Sequence, residues 1–287
     1  MERRLEFSIA EHDWTIEKYL RAKAGFTKKQ VSQAKFRAGG FRVNGKQQRC
    51  DYTLKAGDVL VVPLEEKNIG SRQILPLRKP LEVLYEDEDL LAVKKPAGLV
   101  CHPAGGHYED TLANQVAAYF ESQGICVRIR PVGRLDREVS GIVLFAKNQM
   151  AASRLTAQRK NGEYCKEYIA DVEGSIEQAE ILIRTPVQEN PEKRGQMQVH
   201  PEGKEAVTRV QVLERQESIT RVLCRIDTGR MHQIRVHLSS IGHPIAGDVL
   251  YGAGQRRGSG ICLHAWRIVC VQPFTGEKIE LLCEPPF

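Results

Sequence analysis

The chain has 287 residues, of which 41% are hydrophobic and 27% charged, with 42 Lys and Arg against 36 Asp and Glu for a net charge of +6. This composition excludes a largely disordered chain, and no apolar run approaches the roughly 18 residues of a membrane span. The first residues lack the apolar stretch of a secretory signal, so we expect a soluble, cytoplasmic protein.

The eight cysteines are scattered and include no Cys-x-x-Cys pair. A zinc module would need clustered ligands, and a disulfide framework suits a much shorter secreted chain. We therefore expect most of them to be small buried residues, and we expect no metal. At about 150 residues per domain, the length allows two unequal domains.

The positive charge is concentrated near the N-terminus. Residues 13–62 contain eleven Lys or Arg and four acidic residues, so this segment carries +7 and the rest of the chain −1. Such a concentration is typical of a surface that binds a polyanion. A solvated charged face is an equally open interpretation of the charge alone.

The same segment shows a regular pattern of short elements. It predicts helices over 14–20 and 28–38 and strands over 41–46 and 59–62. Thr27 is the predicted N-cap of the second helix. The Asn44-Gly45 pair is a strong signal for a hairpin turn after the first strand.

Segment 13–62 resembles the small RNA-binding domain named after a ribosomal protein of the small subunit, the S-four type. The resemblance depends on residues 27–30, 43–46 and 55–58. It implies that basic side chains contact RNA phosphates, which fix register without reading sequence. These side chains are Lys28, Lys29, Arg37 and Arg42. Residues 63–80, punctuated by Pro and Gly, are predicted to be a linker.

From residue 81 to 287, short apolar runs dominate and do not alternate regularly with helices. This favours an α+β domain with a mixed or antiparallel sheet. The predicted strands are 81–85, 90–93, 142–146, 164–172, 206–213 and 219–226, and the predicted helices are 111–120 and about 231–241. Residues 105–110 and 185–204 are predicted to be surface loops.

Three motifs of this domain carry candidate chemistry. The first, 94–103, is a loop containing Pro and Gly with His102 near its end, and such a histidine is more often structural than catalytic. The second, 131–141, places Asp136 in a turn between two arginines, before a buried strand. Opposite charge nearby favours the ionised carboxylate, which suits a nucleophile or base. An aspartate that only shapes the turn is the commoner case.

The third motif, 228–248, combines a predicted helix with basic residues. His232 and Arg235 are three residues apart and share one flank of that helix, which suits an anion. His232 and His237 are five residues apart, so they cannot form the i, i+4 pair of a zinc helix.

The three motifs, in this order, resemble the RluA family of RNA pseudouridine synthases, and the match extends from about residue 81 to the C-terminal tail. The resemblance implies that Asp136 is the essential aspartate, Tyr168 the active-site tyrosine and Arg235 the basic residue of the site. Arg134 and His232 are expected to contact the substrate. The family often has His at position 133 and Thr at position 139, where this chain has Gly and Val, and these differences put flanking contacts in doubt.

Pseudouridylation detaches uracil from ribose, turns it and rejoins it through carbon 5. The reaction involves no redox change and imports no group, so no cofactor is expected. The uridine must be flipped out of its stack, and Asp136, positioned by Arg235, would be the reacting carboxylate. Tyr168 would stack on the flipped base and is a candidate for proton transfer at carbon 5, although its strand alone favours a core-facing aromatic. Attack on the sugar, addition to the base and removal of a ribose proton stay open for Asp136.

Two other functions fit the residues less well. A non-catalytic RNA-binding or ribosome-assembly factor would keep its function in an Asp136→Ala variant. A glycosidase-like hydrolase of nucleosides needs two carboxylates with separated pKa values, and only Asp136 lies in a motif of that kind. We expect a monomer that acts on a large structured RNA. Ribosomal RNA, of the large subunit first, is favoured, and transfer RNA is the alternative.

Overall fold

The computed structural model describes residues 3–36, 39–64, 74–125, 127–252 and 260–287. The elements in chain order are β1 (Arg4–Ser8), β2 (Trp14–Thr15), α1 (Ile16–Ala22), α2 (Lys28–Lys35), β3 (Phe41–Val43), β4 (Lys46–Gln48), β5 (Thr53–Leu54), β6 (Val59–Pro63), β7 (Glu82–Glu86), β8 (Leu90–Lys95), α3 (Leu112–Ser122), β9 (Ser140–Ala146), α4 (Gln149–Asn161), β10 (Cys165–Glu173), β11 (Glu180–Ile183), β12 (Val187–Glu189), β13 (Met197–Val199), β14 (Thr208–Arg215), β15 (Ile219–Ile226), α5 (Gln233–Ser240), β16 (Leu263–Val271) and β17 (Lys278–Leu282).

The N-terminal unit is a four-stranded sheet, in the order β1-β6-β3-β4, that shares one apolar core with α1 and α2. Strand β1 lies before the segment 13–62 and pairs antiparallel with β6. The predicted cap is confirmed, because the Thr27 side chain and Gln30 form a reciprocal capping box. The predicted Asn44-Gly45 turn is also confirmed, with positive φ at both residues.

The first helix begins two residues later than predicted. Trp14–Thr15 forms a short strand that pairs with β5, and the Thr15 side chain accepts a hydrogen bond from the backbone of Lys18. A threonine that caps the helix cannot also lie inside it, which explains the shift.

The larger unit is built on a nine-stranded sheet in the order β11-β14-β15-β10-β16-β9-β8-β7, with β17 beside β16. All described pairs are antiparallel except β9 with β16, so the predicted α+β fold with a mixed sheet is confirmed. The parallel contact is close at Gly141, whose φ is +116°, and an added Cβ would overlap the backbone of Ala265. Glycine is therefore required at this point of the second motif.

Both faces of the sheet are covered, which explains why β9 is buried along its whole length. Alternate residues of β8 and β9 pack with α3 and α5 in one core cluster and with α4 in another. None of the helices in the described ranges combines the length and apolar character that crossing a bilayer requires.

The sequence prediction missed several elements of this unit. Helix α4 and strands β11, β16 and β17 were not predicted. The interpretation of residues 185–204 as a loop is wrong in part, because β12 and β13 form an antiparallel hairpin there. The hairpin strands have only three residues each, too few for a period of two to stand out.

Helix α4 joins the two units. Met150 belongs to the N-terminal core cluster, the Gln30 side-chain amide donates to the Ser153 hydroxyl at 3.1 Å, and Arg154 donates to the Ala24 carbonyl at 2.7 Å. These contacts place the start of α2 against the middle of α4.

The buried histidines predict a pH-dependent stability. His237 and His264 are fully buried, and burial lowers the pKa of both imidazoles. Below about pH 6.5 the unfolded chain therefore binds more protons than the folded one, so stability falls as the pH decreases below that value. We expect the midpoint of urea unfolding to decrease from about pH 7.5 to about pH 5.5. The midpoints are measured by circular dichroism, and equal values at the two pH conditions would contradict this.

Candidate active site

The second and third motifs meet at a cavity of about 300 Å³, at the lower end of the range for small-molecule sites. Its wall contains all the residues of the larger unit that the sequence predicts to be catalytic or to contact the substrate. These are Arg134, Asp136, Tyr168, His232 and Arg235.

The loop that carries Asp136 is held in place by the first motif. The Leu135 N–H donates to the Cys101 thiol sulfur at 3.3 Å. The Arg137 carbonyl accepts from the Gly98 N–H at 2.8 Å and from Lys95 Nζ at 3.0 Å. Both neighbours of Asp136 in the sequence are therefore fixed through their backbones.

Lys95 is the functional residue of the first motif that sequence analysis missed. It is fully buried, and its ammonium donates to three carbonyls, those of Pro96, Leu99 and Arg137. Burial lowers its pKa to about 8. His102, by contrast, is exposed and lies outside the cavity wall.

Asp136 faces a cationic arginine and a histidine without a direct hydrogen bond to either. Its Oδ2 lies 3.7 Å from Arg235 Nη1 and 3.9 Å from His232 Nε2. The side chain keeps 22% of its surface exposed. The carboxylate is thus oriented by positive charge while its oxygen lone pairs stay free for a ligand.

The expectation that Arg134 and Arg137 supply the positive charge that keeps Asp136 ionised is wrong. Among the described ion pairs, neither Arg134 nor Arg137 pairs with it, and both are exposed. The third motif, about 100 residues later, supplies the charge instead.

Arg235 is held by a buried carboxylate that sequence analysis did not assign. Its Nε and Nη2 donate to the two oxygens of Asp248 at 2.7 and 2.8 Å, and both side chains are at least 96% buried. Burial acts to lower the pKa of Arg235, but the hydrogen bonds and charge of Asp248 outweigh it and raise the pKa. The remaining nitrogen, Nη1, is buried without a hydrogen-bond partner and points toward Asp136.

His232 adopts a strained backbone conformation at this site. It is the N-cap of α5 with φ +53°, so the helix begins at Gln233 rather than at 231. Its Nδ1 shares a hydrogen bond of 2.8 Å with the Tyr251 hydroxyl, which also accepts from the Met197 N–H at 2.7 Å. Burial lowers the pKa of His232, so the ring is neutral near pH 7.

Tyr168 lies on β10 and is almost completely buried, with its ring against the cavity. Burial raises the pKa of its phenol above the usual range, so the hydroxyl stays protonated. Lys166 Nζ lies 5.5 Å from the centre of the ring, and burial lowers the pKa of this lysine to about 8. The face and edge of Tyr168 can pack against a planar ligand.

Asp136 is the one carboxylate among the described residues of the cavity wall. Glu138 lies 3.7 Å from Arg235 Nη1 but is half exposed outside that wall, and Asp248 is occupied by Arg235. This arrangement does not provide the pair of carboxylates that glycoside hydrolysis requires. Within the described ranges no group of three or more His, Cys, Asp or Glu is placed to hold a metal ion.

The basic residues assigned to RNA contact in the N-terminal unit lie apart from the cavity wall. Lys28 and Lys29 are exposed in the first turn of α2, and Arg42 is half-buried on β3. Arg37 lies outside the described residues. The role of all four stays a prediction.

Comparison with known proteins gives a consistent result. A family described as RNA pseudouridylate synthase matches residues 89–240. The uncharacterized RNA pseudouridine synthase YjbO of Bacillus subtilis is 34% identical over 93% of this chain and 93% of its own length. The ribosomal large subunit pseudouridine synthase D of Escherichia coli is 35% identical over 75% of this chain and 74% of its own. The solved structure of human RNA pseudouridylate synthase domain containing 1 has a TM-score of 0.60 and 28% identity, covering 72% of this chain and 84% of that one.

Proposed function

The chain belongs to the RNA pseudouridylate synthase family, and from this premise we propose that it converts specific uridines of ribosomal RNA to pseudouridine without a cofactor. Asp136 is the reacting carboxylate. One observation carries the assignment: the one carboxylate of the described cavity wall lies 3.7 Å from a buried arginine and keeps free oxygen lone pairs.

The reaction is an isomerisation whose atoms balance within the substrate. The bond between ribose carbon 1 and uracil nitrogen 1 breaks, and a bond between ribose carbon 1 and uracil carbon 5 forms. Carbon 5 loses its hydrogen as a proton, and nitrogen 1 gains a proton. Asp136 serves the reaction by attack on the sugar, by addition to the base or by removal of a ribose proton. In all three mechanisms, the positive charge of Arg235 holds the Asp136 carboxylate in position.

Tyr168 provides the surface on which the flipped uracil stacks. Stacking of a base on an aromatic ring is worth about 1–3 kcal/mol, which offsets part of the few kcal/mol that flipping costs. Because burial raises the pKa of its phenol, the Tyr168 hydroxyl keeps its proton at neutral pH and can donate a hydrogen bond to the base. Arg134 is exposed at the cavity wall, where its guanidinium can contact the RNA around the flipped uridine.

The substrate we favour is ribosomal RNA of the large subunit, with transfer RNA as the alternative. Two relatives, from Escherichia coli and Haemophilus ducreyi, are named ribosomal large subunit pseudouridine synthase D. Lys28 and Lys29 are exposed at one end of α2, and we assign residues 13–62 to RNA binding of the S-four type. Such a module fixes register on a structured RNA through phosphates. A protein that modifies ribosomal RNA would act in the cytoplasm, which is the location that the sequence predicts.

Gene deletion tests this function. We expect particular pseudouridines of ribosomal or transfer RNA to disappear in the deletion strain and to return when wild-type protein is supplied. Supplying Asp136→Asn at the same protein level is not expected to restore them. Pseudouridine mapping across both RNA classes is the measurement. An unchanged map, under conditions in which the protein is made, would contradict the proposal and direct attention to a binding role on ribosomal particles.

A further inference from the structure

The cavity wall contains a second group of polar side chains that the proposed chemistry does not use. Arg159 comes from α4, and Tyr164 and Lys166 come from the start of β10 and the turn before it.

Tyr164 presents an unpaired donor to the cavity. Its side chain is 91% buried, and its hydroxyl has no hydrogen-bond partner in the described structure. A buried hydroxyl without a partner costs free energy that a ligand can recover. The position therefore indicates an acceptor group that arrives with the substrate.

Arg159 and Lys166 add two positive charges beside this hydroxyl. Neither forms an ion pair with a described acidic residue, although both line the same wall. Burial is the main cause of the lowered pKa of Lys166, and the positive charge of Arg159 lowers this pKa further. Two like charges next to one unpaired donor favour an anion between them.

The position of Arg159 is set by a glycine of the third motif. An added Cβ at Gly229 would overlap the Arg159 Nη2 atom and lie 3.2 Å from Cζ. The φ of Gly229 lies outside the left-handed region, so the guanidinium, and not the backbone, is what a larger side chain would meet. Gly229 thus leaves room for Arg159 to lie over the loop that precedes His232.

We propose that Arg159, Tyr164 and Lys166 form a phosphate subsite that binds one backbone phosphate adjoining the flipped uridine. The proposal rests on the function proposed above, since it requires an RNA substrate in this cavity. A phosphodiester carries one charge and several acceptor oxygens, which matches two cations and one hydroxyl donor. The subsite would hold the sugar of the uridine beside Asp136 from its phosphate end.

Helix α4 is a suitable support for this subsite. Its other contacts fix the N-terminal unit through Met150, Ser153 and Arg154. Ser153 and Arg159 are six residues apart, about 9 Å along a helix, and Ser153 contacts Gln30 next to Lys29. A strand of RNA leaving the cavity along α4 would therefore reach the lysines assigned to RNA contact.

The test uses the full-length protein and a short RNA that contains a uridine identified by the deletion experiment. Replacing Arg159 by Gln is expected to raise KM about tenfold with little change in kcat, because a contact made equally in ground and transition states is lost. The slope of log Kd against log salt concentration should decrease by about 0.7, as expected for one phosphate contact on a single strand.

Two further variants separate the subsite from general effects. Gly229→Ala should raise KM by displacing the guanidinium, and it should add nothing in a protein that already carries Arg159→Gln. Lys278→Gln is the control, because it removes one positive charge far from the cavity. Lys278 pairs with Val271, which lies eight residues, about 26 Å, along β16 from Leu263 of the cavity wall. This variant should leave KM unchanged.

A neutral methylphosphonate in the RNA identifies the phosphate. Placed at the contacted position, it should raise KM for the wild type about tenfold and have no further effect on Arg159→Gln. If the wild-type protein is active and the Arg159→Gln variant has the same KM and the same salt slope, the phosphate subsite is overturned and the proposed function is not. If the wild-type protein forms no pseudouridine in any RNA, the proposed function fails and the subsite fails with it.

Discussion

Replacing Asp136 by asparagine is expected to lower kcat for pseudouridine formation by at least about 10³-fold, as is usual when a residue that forms or breaks bonds is removed. Asparagine has nearly the same size and leaves the loop contacts through Leu135 and Arg137 intact. It lacks the negative charge, and its amide oxygen is a far weaker nucleophile and base than a carboxylate oxygen. The measurement is pseudouridine formation by purified protein on a transcript of the mapped target, with RNA binding measured in parallel.

Glu138 provides a matched control for this prediction. Its carboxylate also lies 3.7 Å from Arg235 Nη1, but it is half exposed and outside the cavity wall. Glu138→Gln should keep kcat within a few-fold of wild type, and both variants should bind RNA with wild-type affinity. If Asp136→Asn keeps full activity, the carboxylate only shapes its turn, and the second motif has a structural role.

The side chains that we propose to react could be named from the sequence, but the groups that hold them in place could not. Asp136, Tyr168 and Arg235 can be assigned from motif resemblance because each belongs to a short, ordered pattern. Lys95 lies within such a pattern too, but its role depends on three carbonyls, one of them 42 residues away. No local rule of spacing predicts where a buried ammonium finds its acceptors.

Helix α4 shows a different limit of sequence reasoning. Its boundaries carried signals, since Asn148 caps its start and Gly162 ends it with φ +78°. Its few apolar residues are divided between two core clusters, with Met150 in one and Ala151 and Leu155 in the other, and part of the helix lines the cavity. A periodic apolar stripe was therefore absent, and Arg159 could not be placed at the site in advance.

The geometry of His232 was also beyond the reach of the sequence. Helical spacing from Met231 to Ile241 indicates a helix that includes His232. In the structure the residue leaves the helix with φ +53° and bonds to Tyr251, which fixes its ring near Asp136. Strain of this kind is common at functional sites and arises from tertiary contacts, which override the local pattern.

Replacing Asp248 by asparagine is expected to destabilise the fold by about 3–5 kcal/mol, the usual cost of leaving a buried charge without its partner. Arg235 is 96% buried and donates both of its short hydrogen bonds to Asp248. Without that carboxylate, its nearest acidic groups are Asp136 and Glu138, each 3.7 Å from Nη1. We expect Arg235 to move toward Asp136 and to form the direct hydrogen bond that the wild-type site lacks.

Chemical unfolding followed by circular dichroism measures the loss of stability. The consequence of moving Arg235 toward Asp136 is measured as a change in kcat, at a temperature where the variant is folded. Asp171→Asn is a matched control, because Asp171 also accepts two hydrogen bonds from an arginine, Arg221, at 2.7 and 2.9 Å, but at a partly exposed position. Its loss should be about 1 kcal/mol. Equal losses in the two variants would show that burial does not set the strength of the Arg235 contact. A stable Asp248→Asn protein with wild-type kcat would show that Arg235 is held by other groups, and the geometry around Asp136 would then need another explanation.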